Sequence, residues 1–217
     1  MKTTILCDFD GTIIPNEVPE ELVISHGGPE YHQLIAQWDE GEVNTPDVLQ
    51  MLFSGMGATS GEFNRYFDGI SVDPTFPPFL DFCRKMGYDF HVVSDGFLWY
   101  IERILNRHGL MPISIFTSVV TFDGTEFHLS YPWRNEDCEP CNGVCGTCKR
   151  DIVLNFKKEG ARVIFIGNSF EDRYGAMESD LVFAKARLRE QLQAIGYPFT
   201  PFRDFNDIIA ALQREKA

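Results

Sequence analysis

The stretch Thr3-Thr4-Ile5-Leu6-Cys7-Asp8-Phe9-Asp10-Gly11-Thr12 decides the fold. Thr3 to Cys7 is a short run of β-branched and aliphatic residues that stops on Asp8. A strand buried on both faces reads this way: continuous apolar character, then polar residues where the chain leaves the sheet. Extended chain alternates its side chains, so Asp8 and Asp10 leave the strand on the same side.

Four further segments repeat the pattern. Phe90 to Val93 ends on Ser94, Ile113 to Thr117 is a third strand, Arg162 to Ile166 ends on Gly167, and Leu181 to Ala184 is a fifth. Helical periodicity fits between them, over Pro77 to Met86, Leu98 to His108 with Gly109 as its stop, Arg150 to Glu159 and Asn206 to Gln213. Strand and helix in alternation predict an α/β fold around a parallel sheet. Residues 15–73 break the alternation and read as helix throughout, with Thr45-Pro46 as one helix start and a capping box at Thr59-Ser60-Gly61-Glu62. The expected organisation is a catalytic core of residues 1–14 and 74–217, with a helical cap, 15–73, inserted after the first strand. Within the core, 118–149 is expected to hold a β-hairpin turning at Asp123-Gly124-Thr125 and a cysteine-rich loop.

Composition narrows the function. Of 217 residues, 44% are hydrophobic and 24% charged, which excludes a disordered or collagen-like chain. The net charge of −13 opposes a nucleic-acid partner. No apolar run approaches the roughly 20 residues of a membrane span, and the first residues do not read as a secretory leader. The expected setting is cytoplasmic, without membrane or nucleic-acid contacts. Oligomeric state is not legible.

Ligands of open α/β sheets bind beyond the carboxyl ends of the strands. Those ends deliver Asp8-Phe9-Asp10-Gly11-Thr12, Ser94-Asp95-Gly96 and Gly167-Asn168-Ser169-Phe170-Glu171-Asp172, and Lys149 opens the helix before the fourth strand. Two neighbouring carboxylates require a cation or a shared proton. A hard divalent ion with oxygen ligands answers this, and magnesium suits phosphate chemistry. One carboxylate is then a nucleophile toward phosphorus, and the other a general acid and base.

Asp8-Phe9-Asp10-Gly11-Thr12 after the first strand resembles the signature of the haloacid dehalogenase-like (HAD) phosphatases. Ser94, Lys149 and Gly167–Asp172 match that superfamily's later motifs in order. The resemblance implies a Rossmann-like sheet and a magnesium-dependent phosphatase that passes through an aspartyl-phosphate. Asp8 would be the nucleophile, Asp10 the general acid/base, Ser94 a phosphoryl ligand and Lys149 the compensating cation. Magnesium would be held by Asp8, Asp10 and Asn168, with Asp172 acting through metal-bound water. Asn168 departs from the more usual Asp and removes a formal charge. A helical cap after the first motif is typical of the phosphoserine phosphatase-like branch, whose members act on small phosphorylated metabolites. Glu17 and Gly96 stand where substrate contacts are expected. The only arginine of the cap segment is Arg65, a poor basis for a serine carboxylate clamp. A closer likeness is to the methionine-salvage 2-hydroxy-3-keto-5-methylthiopentenyl-1-phosphate phosphatases, in which a cysteine-rich segment also leads into the lysine. Other readings are a phosphoserine phosphatase-type activity, a dehalogenase, and a non-catalytic zinc- or redox-sensing relative.

Four of the six cysteines fall in Cys138-x2-Cys141-x3-Cys145-x2-Cys148. This spacing fits one tetrahedral zinc, two disulfides, or an iron–sulfur cluster. Zinc would be structural, since four thiolates leave no open position. The five histidines show no ligand spacing. Asp95 reads as a turn residue, and the cap aromatics, Trp38, Phe53 and Phe63 among them, as core, with one or two of them expected as candidates to line the substrate pocket.

Overall fold

Side chains of β1 (Thr3–Cys7) divide by parity: Ile5 and Cys7 join one buried cluster, Leu6 another. Successive strand residues face opposite sides of a sheet, so this sheet is covered on both faces. The structure, a computed structural model, describes residues 2–26, 30–39, 42–55, 60–123 and 127–215. After β1 come α1 (Val18–His26), α2 (Glu30–Asp39), α3 (Thr45–Gly55), α4 (Ser60–Asp68), α5 (Phe76–Met86), β2 (Asp89–Phe97), α6 (Leu98–Arg107), β3 (Ser114–Phe122) and β4 (Phe127–Ser130). A 3-10 turn at Glu139–Cys141 precedes α7 (Lys149–Lys158), β5 (Arg162–Gly167), α8 (Arg173–Glu178), β6 (Leu181–Ala184), α9 (Ala186–Ala194), β7 (Thr200–Pro201) and α10 (Phe205–Arg214).

The strands form one seven-stranded sheet in the order β4-β3-β2-β1-β5-β6-β7. All neighbours are parallel except the β3–β4 pair. α5, α6 and α10 cover one face through Phe79, Ile104 and Phe205. α7, α8 and α9 cover the other through Ile152, Ala176 and Leu188. This is the expected α/β class with a mostly parallel sheet. β1 is central, so the ends of β1, β2 and β5 open side by side.

Of the helices between β1 and α5, α1, α3 and α4 share the first cluster, through Leu22, Leu49 and Phe63. Phe53 and Phe67 pack on Phe97, with ring centroids 5.2 and 6.3 Å apart, and Phe63 meets Trp99 at 5.8 Å. Phe53 and Phe63 are core, as expected. Among the described residues no helix is long and apolar enough to cross a membrane.

Several boundaries differ from the sequence reading. The third strand and the first hairpin arm are one strand, because Ser118 is buried and pairs with Phe97. The arms meet antiparallel at Phe122 and Phe127. Gly124 and Thr125 of the expected turn lie outside the described residues, as does Thr59 of the capping box. α9 escaped notice because only Leu188 and Leu192, one turn apart, are buried along it. Between Val93 and Phe97 the β2 register shifts, and Ser94, Asp95 and Gly96 leave the ladder to β3. Such an irregularity re-aims side chains, here at the end where β1 delivers its acids.

Candidate active site

Asp8 and Asp10 flank Phe9, whose ring is wholly buried and anchors the turn. The Phe9 carbonyl accepts from Thr12 and Ile13, and Gly11 takes φ +61. Any side chain at Gly11 would meet Glu17 and Asn168, whose side chains close over it. Asp8 Oδ1 accepts from the Phe9 N–H at 2.9 Å and pairs with Lys149 Nζ at 3.0 Å. Its Oδ2 has no protein partner among the described residues. Asp10 Oδ1 accepts from the Val18 N–H at 3.1 Å, and Oδ2 accepts from the Tyr100 hydroxyl and, at 3.4 Å, from Ser94 Oγ. Tyr100 was not visible as a site residue: it continues the apolar stripe of α6, and only its hydroxyl enters the site.

Lys149 is the first residue of α7, where the helix macrodipole disfavours a cation. Carboxylates override this: Lys149 Nζ lies 2.6 Å from Asp172 Oδ1 and 3.0 Å from Asp8. Burial opposes its charge, but Asp172 and Asp8 together hold it well above the usual lysine range. Burial and the Asp172 charge push Asp8 up, while Lys149 pulls it down. Burial also raises Asp10, to about 6, against the lowering bonds from Tyr100 and Val18. A carboxyl raised this far is suited to donate a proton near neutral pH.

Asp172, expected near the metal, is fully buried and spends its carboxylate on protein. Besides Lys149 it accepts from the Asn168 and Ser169 N–H groups at 2.8 and 2.9 Å. It shapes the turn and anchors the lysine. Asn168 accepts from Thr12 Oγ1 at 2.6 Å and donates to Glu17 Oε1 at 2.9 Å. Burial, then the Asp10 charge, raises Glu17 to about 8. The Gly96 N–H donates to Ser94 Oγ at 3.0 Å and its carbonyl accepts from Thr117. Gly96 therefore contributes space, since a Cβ there would strike the Tyr100 hydroxyl.

Asp8, Asp10, Ser94, Gly96, Lys149 and Asn168 line one cavity of about 400 Å³. Asp8, Asp10, Glu17, Glu20, Asp95 and Glu171 face it, against Lys149 and Arg187. Of the described cap aromatics Trp38 is the one that lines it, with its indole N–H on Thr45 Oγ1 at 3.1 Å. A hard cation fits this donor set: the Asp8 carboxylate, the Asp10 carbonyl and the Asn168 amide oxygen are all oxygens.

The four cysteines form a separate buried cluster with Val144 and Tyr174, and all are free thiols. Cys145, Cys148 and Cys138 hydrogen-bond toward Cys141, which holds it below the usual thiol range. Among the described residues no three His, Cys, Asp or Glu side chains form a ready metal cage.

Comparison with known proteins agrees with this geometry. The family described as "Putative Phosphatase" matches residues 3–187. A 2-hydroxy-3-keto-5-methylthiopentenyl-1-phosphate phosphatase from Brevibacillus brevis is 26% identical over 98% of this chain and 96% of its own. The same-named enzyme of Exiguobacterium sibiricum is 29% identical over 98% and 97%. Among solved structures, a phospho-aspartyl intermediate analogue of phosphoserine phosphatase superposes with TM-score 0.72 at 20% identity, covering 97% of this chain and 98% of that one. A substrate-bound phosphoserine phosphatase complex gives TM-score 0.71 at 21% identity, with the same coverage.

Proposed function

Since the chain belongs to the family described as "Putative Phosphatase" and is a HAD-type phosphoric monoester hydrolase, we propose that it cleaves a small phosphorylated metabolite through an aspartyl-phosphate on Asp8. The observation that carries this reading is the buried Asp8–Lys149–Asp172 array beside Asp10 at one cavity. Magnesium is the proposed cofactor, held by Asp8, the Asp10 carbonyl and Asn168. When bound it supplies positive charge to the phosphoryl oxygens.

The chain's own residues account for the rest. Lys149 keeps Asp8 ionised and offsets the charge gathered on the phosphoryl group. Asp8 attacks phosphorus and the ester P–O bond breaks. Protonated Asp10 gives its proton to the departing oxygen. It then takes a proton from the water that opens the acyl-phosphate, and Asp8 is restored. Ser94 reaches the phosphoryl oxygens from the displaced end of β2, and Asp172 positions Lys149.

The curated relatives that this chain matches over 96–97% of their length carry the methionine-salvage name, which favours that substrate type over phosphoserine. Hydrolysis of a panel of phosphorylated metabolites, with and without magnesium, tests the reading. A protein inert toward all of them in magnesium would overturn it.

Asn168 has a specific expectation. Asn168→Asp should lower the magnesium concentration for half-maximal activity, and Asn168→Ala should raise it. The aspartate also lacks the amide N–H that donates to Glu17 Oε1, so in chelator the Asp variant should melt below wild type. Identical magnesium titrations for all three proteins would place the metal elsewhere.

The thiol cluster is proposed to hold a structural zinc, supported by the spacing and shared burial of its four members. Elemental analysis of protein purified without chelator should find about one zinc per chain, and Cys145→Ser should lose it together with thermal stability. Metal-free protein with four titratable thiols would remove zinc from the account. A reducing, cytoplasmic setting is proposed together with the zinc, because thiolate ligands persist where thiols stay reduced.

A further inference from the structure

Asp95 follows Ser94 in the displaced segment of β2, yet the phosphoryl chemistry does not use it. Its partner is distant in sequence: Asp95 Oδ1 accepts from the Thr147 N–H at 2.8 Å, and the Gly146 N–H acts on the same carboxylate. A turn-shaping acid bonds to its own neighbours, whereas this bond ties the end of β2 to the cysteine loop, two residues before Lys149. The loop is tight at that point. A Cβ on Gly146 would lie 3.0 Å from Ser118 Oγ, 3.2 Å from Thr45 Cγ2 and 3.5 Å from Asp95 Oδ1. From the other side, the Thr45 N–H donates to the Val144 carbonyl at 2.8 Å. The Cys148 N–H donates to Trp133 at 2.8 Å, and Thr147 is wholly buried. The second carboxylate oxygen of Asp95 is buried with no hydrogen-bond partner among the described residues. A buried carboxylate left partly unsatisfied is costly, and what holds it is the charge of Lys149 together with this loop's N–H groups.

We propose that Asp95 is a positioning residue for Lys149, fixing the backbone of Gly146 and Thr147 so that the ammonium meets Asp8. This rests on the catalytic reading of Lys149. The backbone entering α7 sets where a four-carbon side chain can reach. The ammonium must sit between Asp8 and Asp172 at hydrogen-bond distance from both. Freed from Asp95, the loop keeps its ties to Thr45 and Trp133 but loses the one that joins it to the end of β2.

The test is a double-mutant cycle on turnover of 4-nitrophenyl phosphate in saturating magnesium. Asp95→Ala should lower kcat between about 10- and 100-fold, the scale expected of a misplaced catalytic group. KM and the melting temperature should change far less. In a Lys149→Met background the same substitution should cost almost nothing, because the group it positions is gone. Asp95→Asn keeps an oxygen for the Thr147 N–H and should retain most of the turnover. Equal fold-losses in both backgrounds would overturn the proposal, as would an Asp95→Asn protein of native stability that is as impaired as the alanine variant. If Asp95→Ala fails to fold, the asparagine comparison decides alone. Unchanged turnover in Lys149→Met would instead sink the reading of the site itself.

Discussion

Asp8→Asn is expected to abolish phosphate release while the protein still folds. An amide is isosteric with the carboxylate but cannot form the acyl-phosphate, so the covalent path closes. The fold should tolerate the change, because the Phe9 N–H retains an oxygen acceptor and Lys149 keeps Asp172. Burial and the Asp172 charge already work against an ionised Asp8, so neutralising it also relieves a like-charge contact. The melting temperature should therefore not fall steeply. Single-turnover phosphate release at high enzyme concentration, beside a thermal melt, checks both halves. Turnover near the wild-type rate would remove Asp8 as the nucleophile.

Asp10→Asn should also cripple the enzyme, in a way that depends on the leaving group. General acid catalysis contributes about 10²–10⁴-fold, so an alkyl phosphate, whose departing alkoxide needs a proton, should show the full loss. An aryl phosphate with a stable phenolate should lose much less in the cleavage step. The Val18 N–H can still donate to the amide oxygen and the Tyr100 hydroxyl can accept from the amide N–H, so the difference between substrates reports proton transfer rather than collapse of the turn. The measurement is kcat/KM across phenyl and alkyl phosphates, in variant and wild type. Equal losses for all leaving groups would assign Asp10 a purely structural part.

The acids and the lysine were legible because their signals are local. A buried strand ending in Asp-x-Asp announces itself in ten residues, and Lys149 follows a cysteine cluster that no ordinary surface segment carries. Tyr100 was not legible, and which cap aromatic would line the cavity was not either. Each is an aromatic residue in a helical segment, and only the packing of α6 and α2 turns the hydroxyl of Tyr100 toward Asp10 and brings Trp38 to the cavity. The loop carrying Lys149 gave no sign that Asp95 restrains it, because 52 residues separate Asp95 from Thr147.

By itself the sequence determined the alternating α/β order, the helical segment after the first strand, and which strand ends carry ionisable groups, since these follow from periodicity and side-chain chemistry. Tertiary structure alone decided what those groups do to one another. Asp172 became a partner of Lys149 because β5 lies beside β1 and its following turn directs the carboxylate inward. Asn168 came to bridge Thr12 and Glu17 because Gly11 leaves room above its Cα. Burial then raised Asp10 to about 6. Desolvation and charge pairing depend on distances across the sheet, and a linear pattern of residues does not contain those distances.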